Sequence, residues 1–293
     1  MSSVVPDKYI RAYQYLLAYR DEEYLSKDEM VLFSTLNNNG NYCYILSLFY
    51  LLLNIDDVRK TWDINLNNKA ELDGFLKLYS CAKHGISSKN FDVNIDKLHF
   101  INSSDTTGRH PDNIYFFLTS FLSGNQTLGI EKLFSWEFIP KITPSVAFPS
   151  CNTVFFYNDE LIGDHSTQEH LDTFALTNDI TKYPQYMLIY KDRFTFPKVD
   201  FSEISILNYY TVGNFKYKLH SCLLFTGSTV GHYYTVTKIR EKLVFYNDSF
   251  MSHEVPADIY ARIRNRTVLF VYEKMNVSLK NKPKECFKQY QYS

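Results

Sequence analysis

The stretch Asn38-Asn39-Gly40-Asn41-Tyr42-Cys43-Tyr44 runs without a break into Ile45-Leu46-Ser47-Leu48-Phe49-Tyr50-Leu51-Leu52-Leu53, so a cysteine stands where a polar, glycine-containing loop meets an apolar run. The run from Cys43 to Leu53 is apolar almost all round, which predicts a buried central helix. A lone cysteine in such a run is most often structural, because a free thiol packs as a small hydrophobe. A structural cysteine, however, does not need an Asn- and Gly-rich bend before it. The bend presents backbone N–H groups at a helix N-terminus, where they stabilise both a thiolate and an oxyanion.

A thiolate nucleophile needs a base, and the base needs a group to orient it. Far along the chain, Gly231-His232-Tyr233-Tyr234 supplies an imidazole, and the apolar run Leu243-Val244-Phe245-Tyr246 leads into Asn247 and Asp248, candidates for the third group. The order Cys, His, Asn/Asp is that of papain-like peptidases. Caspases place His before Cys, and chymotrypsin-type proteases run His, Asp, nucleophile.

Other segments extend the pattern. The cysteine segment reads Thr35-Leu36-Asn37-Asn38-Asn39-Gly40-Asn41-Tyr42-Cys43-Tyr44-Ile45-Leu46-Ser47, and the later ones Tyr217-Lys218-Leu219, Gly227, Gly231-His232-Tyr233 and Phe245-Tyr246-Asn247-Asp248-Ser249. Tyr186 to Tyr190 leads to Arg193-Phe194, His110 to Leu118 contains Asp112, and Val268-Leu269-Phe270-Val271-Tyr272-Glu273 closes the series. In these segments, from about Leu36 to Glu273, the chain resembles the ubiquitin-specific proteases, whose cysteine box reads roughly Gly-Leu-x-Asn-x-Gly-Asn-Thr-Cys-Tyr-x-Asn-Ser.

The resemblance implies an α+β, papain-like fold with a helical thumb, a β-rich palm and reduced fingers. It implies thiol-dependent hydrolysis of the bond at the ubiquitin C-terminus. Cys43 would be the nucleophile, His232 the base, Asn247 the orienting residue, Asp248 a supporting carboxylate and Asn38 the oxyanion donor. Asp112, Tyr115, Gly231 and Tyr233 would contact substrate, and ubiquitin, with an activating protein, would be the partners. The chain also departs from the pattern. Leu46 replaces an Asn, Phe225 a common His, and Tyr115 a Glu that with Asp112 would line the channel for the arginine-bearing ubiquitin tail. A ubiquitin-like modifier therefore remains open as substrate. So do a viral papain-like protease, a non-catalytic ubiquitin-binding scaffold and a structural subunit of a larger complex.

Composition excludes other classes. Lys+Arg 31 against Asp+Glu 32 gives a net charge of −1 with no basic field for nucleic acid. The Cys43–Leu53 run is much shorter than the ~20 residues that cross a bilayer, and no basic-then-apolar leader opens the chain, so a soluble protein of cytoplasm or nucleus is expected. Five scattered cysteines (Cys43, Cys81, Cys151, Cys222 and Cys286) fit reduced thiols, and without any Cys-x-x-Cys pair the zinc ribbon of many relatives cannot be built. Asp164, His165 and His170 are too loosely spaced for a metal site. No metal or other cofactor is expected.

The 293 residues, 45% hydrophobic with 24 Tyr and 23 Phe, can bury one large core, and chemistry at both ends of the chain requires those ends to meet. The expected layout is an N-terminal extension over 1–30, helical from Lys8 to Tyr24, a catalytic unit over 31–280 and a polar tail over 281–293. Within the unit, a thumb over about 31–130 precedes reduced fingers and palm over about 131–280. Helices are expected at Asn113 to Leu122 and Ile130 to Phe138, and residues around Pro140 to Ile180 mix short apolar runs with Pro, Gly and polar breaks, matching the reduced fingers that the resemblance implies. Strands follow at Met187 to Tyr190, Tyr217 to Phe225, His232 to Lys238, Lys242 to Tyr246 and Thr267 to Tyr272, all rich in β-branched and aromatic residues.

Overall fold

The structure is a computed structural model that describes residues 43–68, 74–83, 114, 118, 122, 129–141, 155–157, 167–191, 209–227, 231–239, 242–248, 250–252 and 256–278. Asn38, Asp112, Tyr115 and the expected Lys8–Tyr24 helix lie outside these residues.

The apolar run after the loop folds as α1 (Cys43–Leu53), and all of its residues but Tyr44 are buried. Each large apolar side chain so buried contributes about 1.5–3 kcal/mol relative to exposure, which makes this helix the anchor of the molecule. Behind it come α2 (Asp56–Asn68), with Asp56 and Asp57 complementing the positive end of its dipole, and α3 (Gly74–Lys83). Trp62 of α2 stacks on Phe49 of α1 with centroids 5.9 Å apart, and Tyr79 of α3 tilts against Trp62 at 5.3 Å. Ile114, Leu118 and Leu122 are helical and buried, at the i, i+4, i+8 spacing of one helix face.

The expected helix from Ile130 to Phe138 is corrected. Only α4 (Glu131–Phe134) is helical, and β1 (Glu137–Pro140) follows it. Trp136 and Phe138 both pack edge-on to Phe174, at 5.5 and 5.1 Å, so aromatic packing on a neighbouring element overrides the local helical pattern. The stretch around Pro140 to Ile180, read as short apolar runs with breaks, contains β2 (Phe155–Tyr157), α5 (Thr167–Thr177) and the start of β3 (Asn178–Lys182), the last pairing antiparallel with β1 as a two-stranded sheet.

The expected strands appear as β4 (Tyr186–Lys191), β6 (Phe215–Gly227), β7 (Gly231–Ile239), β8 (Lys242–Asn247) and β10 (Thr267–Ser278). They are joined by β5 (Tyr209–Val212), β9 (Phe250–Ser252) and a further helix, α6 (Ile259–Arg266). The main sheet has the order β2-β4-β10-β6-β7-β8-β9, with β5 paired beside the start of β6. Every pairing is antiparallel except β2 with β4. The fold is thus α+β, with β10 between β4 and β6.

Alternation along the strands sends side chains into two cores. Leu188, Leu223, Tyr233, Tyr246 and Leu269 face the α1 side, while Met187, Leu224, Tyr234 and Phe270 face Trp136, Leu171 of α5 and Ile259 of α6. One face of the sheet is therefore committed to holding α1.

Candidate active site

Cys43 is the first residue of α1 and is 6% exposed. One turn further on, the Ser47 carbonyl accepts a 2.6 Å hydrogen bond from the buried Thr235 hydroxyl of β7, which fixes the helix on that strand. His232 lies three residues before Thr235, at the start of β7. Helix and strand thereby bring Cys43 and His232 together although they lie far apart in the chain.

The imidazole has two hydrogen-bonding partners. Its Nε2 donates to Asn247 Oδ1, since an amide oxygen only accepts. The Cys43 sulfur is also hydrogen bonded to the ring. The Asp248 carboxylate stands nearby, with Oδ2 3.7 Å from Nε2. The Cys43 hydrogen bond first, and then Asn247 and the Asp248 charge, push His232 up to about 9 against the opposing effect of its partial burial. With its side chain 37% exposed, the ring remains open to an incoming group.

Asn247 ends β8, and Asp248, which follows it, takes a left-handed backbone conformation with φ 49°. Its Oδ1 is buried and meets no donor among the described residues. Its backbone carbonyl accepts a 3.1 Å hydrogen bond from the Tyr50 hydroxyl of α1.

Gly231 is dictated by close approach. A β-carbon there would overlap the Thr226 carbonyl and the edge of the Phe225 ring, whose Cε2 would be 2.8 Å away. Tyr233 is differently placed from its expected role in contacting substrate. Its side chain is fully buried in the core on the α1 side of the sheet, with its ring centroid 4.8 Å from that of Phe225.

Cys222, a free and buried cysteine like Cys43, is a contrast. Burial pushes its thiol up to about 12, so it is unreactive near neutrality. Sequence reasoning missed Tyr50 and Thr235. Tyr50 carried a usable signal, since it lies seven residues after Cys43 on the same helix face.

The same arrangement of helices and sheet occurs in solved structures. The chain has the fold of Ubp8, a ubiquitin-specific protease. The SAGA Ubp8/Sgf11/Sus1/Sgf73 DUB module bound to ubiquitin aldehyde superposes with a TM-score of 0.61 at 14% identity, covering 90% of this chain and 75% of Ubp8. A variant of the same module bound to monoubiquitin gives 0.61 at 16% identity with the same coverage. An essential yeast splicing factor gives 0.55 at 14% identity, covering 92% of this chain and 80% of that one. No protein-family model matches the sequence, and no curated protein matches it. Among the described residues no group of three or more His, Cys, Asp or Glu is placed to hold a metal ion, and no helix is long and apolar enough to cross a membrane.

Proposed function

We propose that the chain is a thiol-dependent hydrolase of the peptide or isopeptide bond at the C-terminus of ubiquitin. The observation that carries this reading is the Cys43–His232–Asn247 arrangement, in which the imidazole is hydrogen bonded to both the thiol and the Asn247 amide oxygen. The likeness to Ubp8 in ubiquitin-bound modules supports the choice of substrate.

The chemistry follows from these positions. His232 Nδ1 takes the Cys43 proton, and the sulfur attacks the carbonyl carbon of the terminal glycine. Negative charge then collects on the carbonyl oxygen near the first N–H groups of α1, with Asn38, by the resemblance, as a second donor. Collapse breaks the C–N bond, and the imidazolium gives its proton to the leaving amine. Water, deprotonated by His232, hydrolyses the thioester and restores the thiol. Asn247 holds the ring in register throughout, and Asp248 favours the imidazolium electrostatically. Asp112 and Tyr115 would line the channel for the ubiquitin tail, with Gly231 keeping the channel wall low beside His232. Nuclear or cytoplasmic residence and an activating partner belong to the same reading, since Ubp8 is seen assembled with Sgf11, Sus1 and Sgf73.

The second reading is a non-catalytic ubiquitin-binding scaffold, kept because the same fold also occurs in a protein described as a splicing factor and not as a protease. An electrophilic ubiquitin probe separates the two. The hydrolase forms a covalent adduct on Cys43 that Cys43→Ala loses while still binding ubiquitin. Binding without an adduct, with or without candidate partners, assigns the scaffold role. Adducts only with probes built on a ubiquitin-like modifier would move the substrate to that class.

A further inference from the structure

The Tyr50 side chain lies two helical turns, about 10 Å, along α1 from Cys43 and is completely buried. Its ring stacks on Tyr246 of β8, with centroids 5.0 Å apart and planes 17° apart. The Tyr246 hydroxyl donates to Asn54 Oδ1 at 3.3 Å, and Asn54 Nδ2 donates to the Tyr50 carbonyl at 2.6 Å. Stacking and hydrogen bonds thus tie the end of α1 to the end of β8. The Tyr50 hydroxyl reaches past this clamp to the Asp248 carbonyl, at the one non-glycine residue with positive φ among those described.

We infer that Tyr50 is a positioning residue for the site: by holding the Asp248 carbonyl it fixes the left-handed turn after Asn247, and so fixes how Asn247 and Asp248 meet His232. The clamp makes one rigid unit of the helix that carries the sulfur and the hairpin that orients the base. It also explains why an exacting backbone conformation survives at Asp248, which has no glycine to ease it. The groups that face His232 are Cys43 from α1, Asn247 from β8 and Asp248 from the turn, and all three favour its protonated form. If the turn relaxes, two of the three withdraw together.

The inference rests on the hydrolase reading for its effect on catalysis, but it has a readout that needs no substrate. Tyr50→Phe keeps the ring and its stacking and deletes only the hydroxyl. The His232 midpoint, followed by NMR of the imidazole and assigned with His232→Gln, should fall by about half a unit or more. Ubiquitin-fluorophore kcat should fall on the order of three- to tenfold, with KM little changed. Thr235→Val, which deletes a buried hydroxyl bond on the same helix–sheet seam, serves as the control for general loosening. An unmoved midpoint in Tyr50→Phe, or an equal shift in Thr235→Val, overturns the positioning role. A wild type that hydrolyses no ubiquitin with or without candidate partners, yet whose His232 midpoint moves in Tyr50→Phe, leaves the positioning role standing and removes the hydrolase reading instead.

Discussion

Gly231 and Phe225 are in such close apposition that the glycine has no room for a β-carbon against the aromatic ring and the neighbouring Thr226 carbonyl. The strand that carries His232 thus begins pressed against its hairpin partner, and His232 inherits its position from that contact. Gly231→Ala should cost ~1–3 kcal/mol as overpacking. It should also cost about a hundredfold in rate if His232 is displaced by as much as an ångström. Thermal melts beside ubiquitin-fluorophore kinetics check both, and an unchanged rate would mean that the strand yields without moving His232.

Cys43 and Cys222, both free thiols, should react very differently. At neutral pH, iodoacetamide should modify Cys43 while Cys222, raised by burial to about 12, stays unmodified until the protein unfolds. Peptide mapping by mass spectrometry at increasing urea gives the order of labelling. Cys222→Ala should keep hydrolysis within a few-fold, whereas Cys43→Ala should abolish it.

His232 sets a pH dependence whose sign is fixed. Its folded value of about 9 lies above the ordinary 6.5, so the folded protein holds this proton more tightly than the unfolded chain does. The resulting stabilisation is complete below 6.5, declines as pH rises through the interval, and is gone above about 9. Urea melts at several pH values across that window should show a loss of stability that His232→Gln lacks. The alkaline limb of kcat/KM should fall near the same value, because the imidazolium is needed to protonate the leaving amine.

Asn247 and Asp248 should separate in mutants. Asn247→Ala frees Nε2 and should lower kcat by roughly a hundredfold through loss of ring orientation, whereas Asn247→Asp should retain substantial activity because an acceptor oxygen remains. Asp248→Asn removes only a charge 3.7 Å from the ring and should lower the His232 midpoint with a smaller effect on rate. Equal losses in Asn247→Ala and Asp248→Asn would give the orienting role to both residues.

Much of this was legible in the sequence where local pattern and burial coincide. Cys43 to Leu53 could hardly be anything but a buried helix, and the β-branched and aromatic runs of β4, β6, β7, β8 and β10 read directly. The meeting of Cys43, His232 and Asn247 was foreshadowed because a cysteine after an Asn- and Gly-rich bend, a Gly-His pair and an Asn-Asp pair are uncommon neighbours of such runs. α5 was missed although Leu171, Phe174 and Ala175 stand at helical spacing, since its remaining residues are polar except for the exposed Leu176 and only Thr167 and Leu171 are buried. The helix expected to reach Phe138 stopped at Phe134 because Trp136 and Phe138 are claimed by Phe174, a contact with no local signature. The bond from Tyr50 to Asp248 spans 198 positions and was invisible for the same reason. Asn38, Asp112 and Tyr115 lie outside the described residues and rest on the resemblance alone.

The central place of β10 bears on the protein's birth. On the ribosome, β4 and β6 emerge well before residues 267–278, and each must wait with an open edge where β10 will later insert. Helix α1 and the β7–β8 hairpin, which hold the sulfur and the imidazole, are already made by then, but β4 and β6 are not yet joined into one sheet. A nascent or prematurely terminated chain is therefore a client for chaperones, with unsatisfied strand edges.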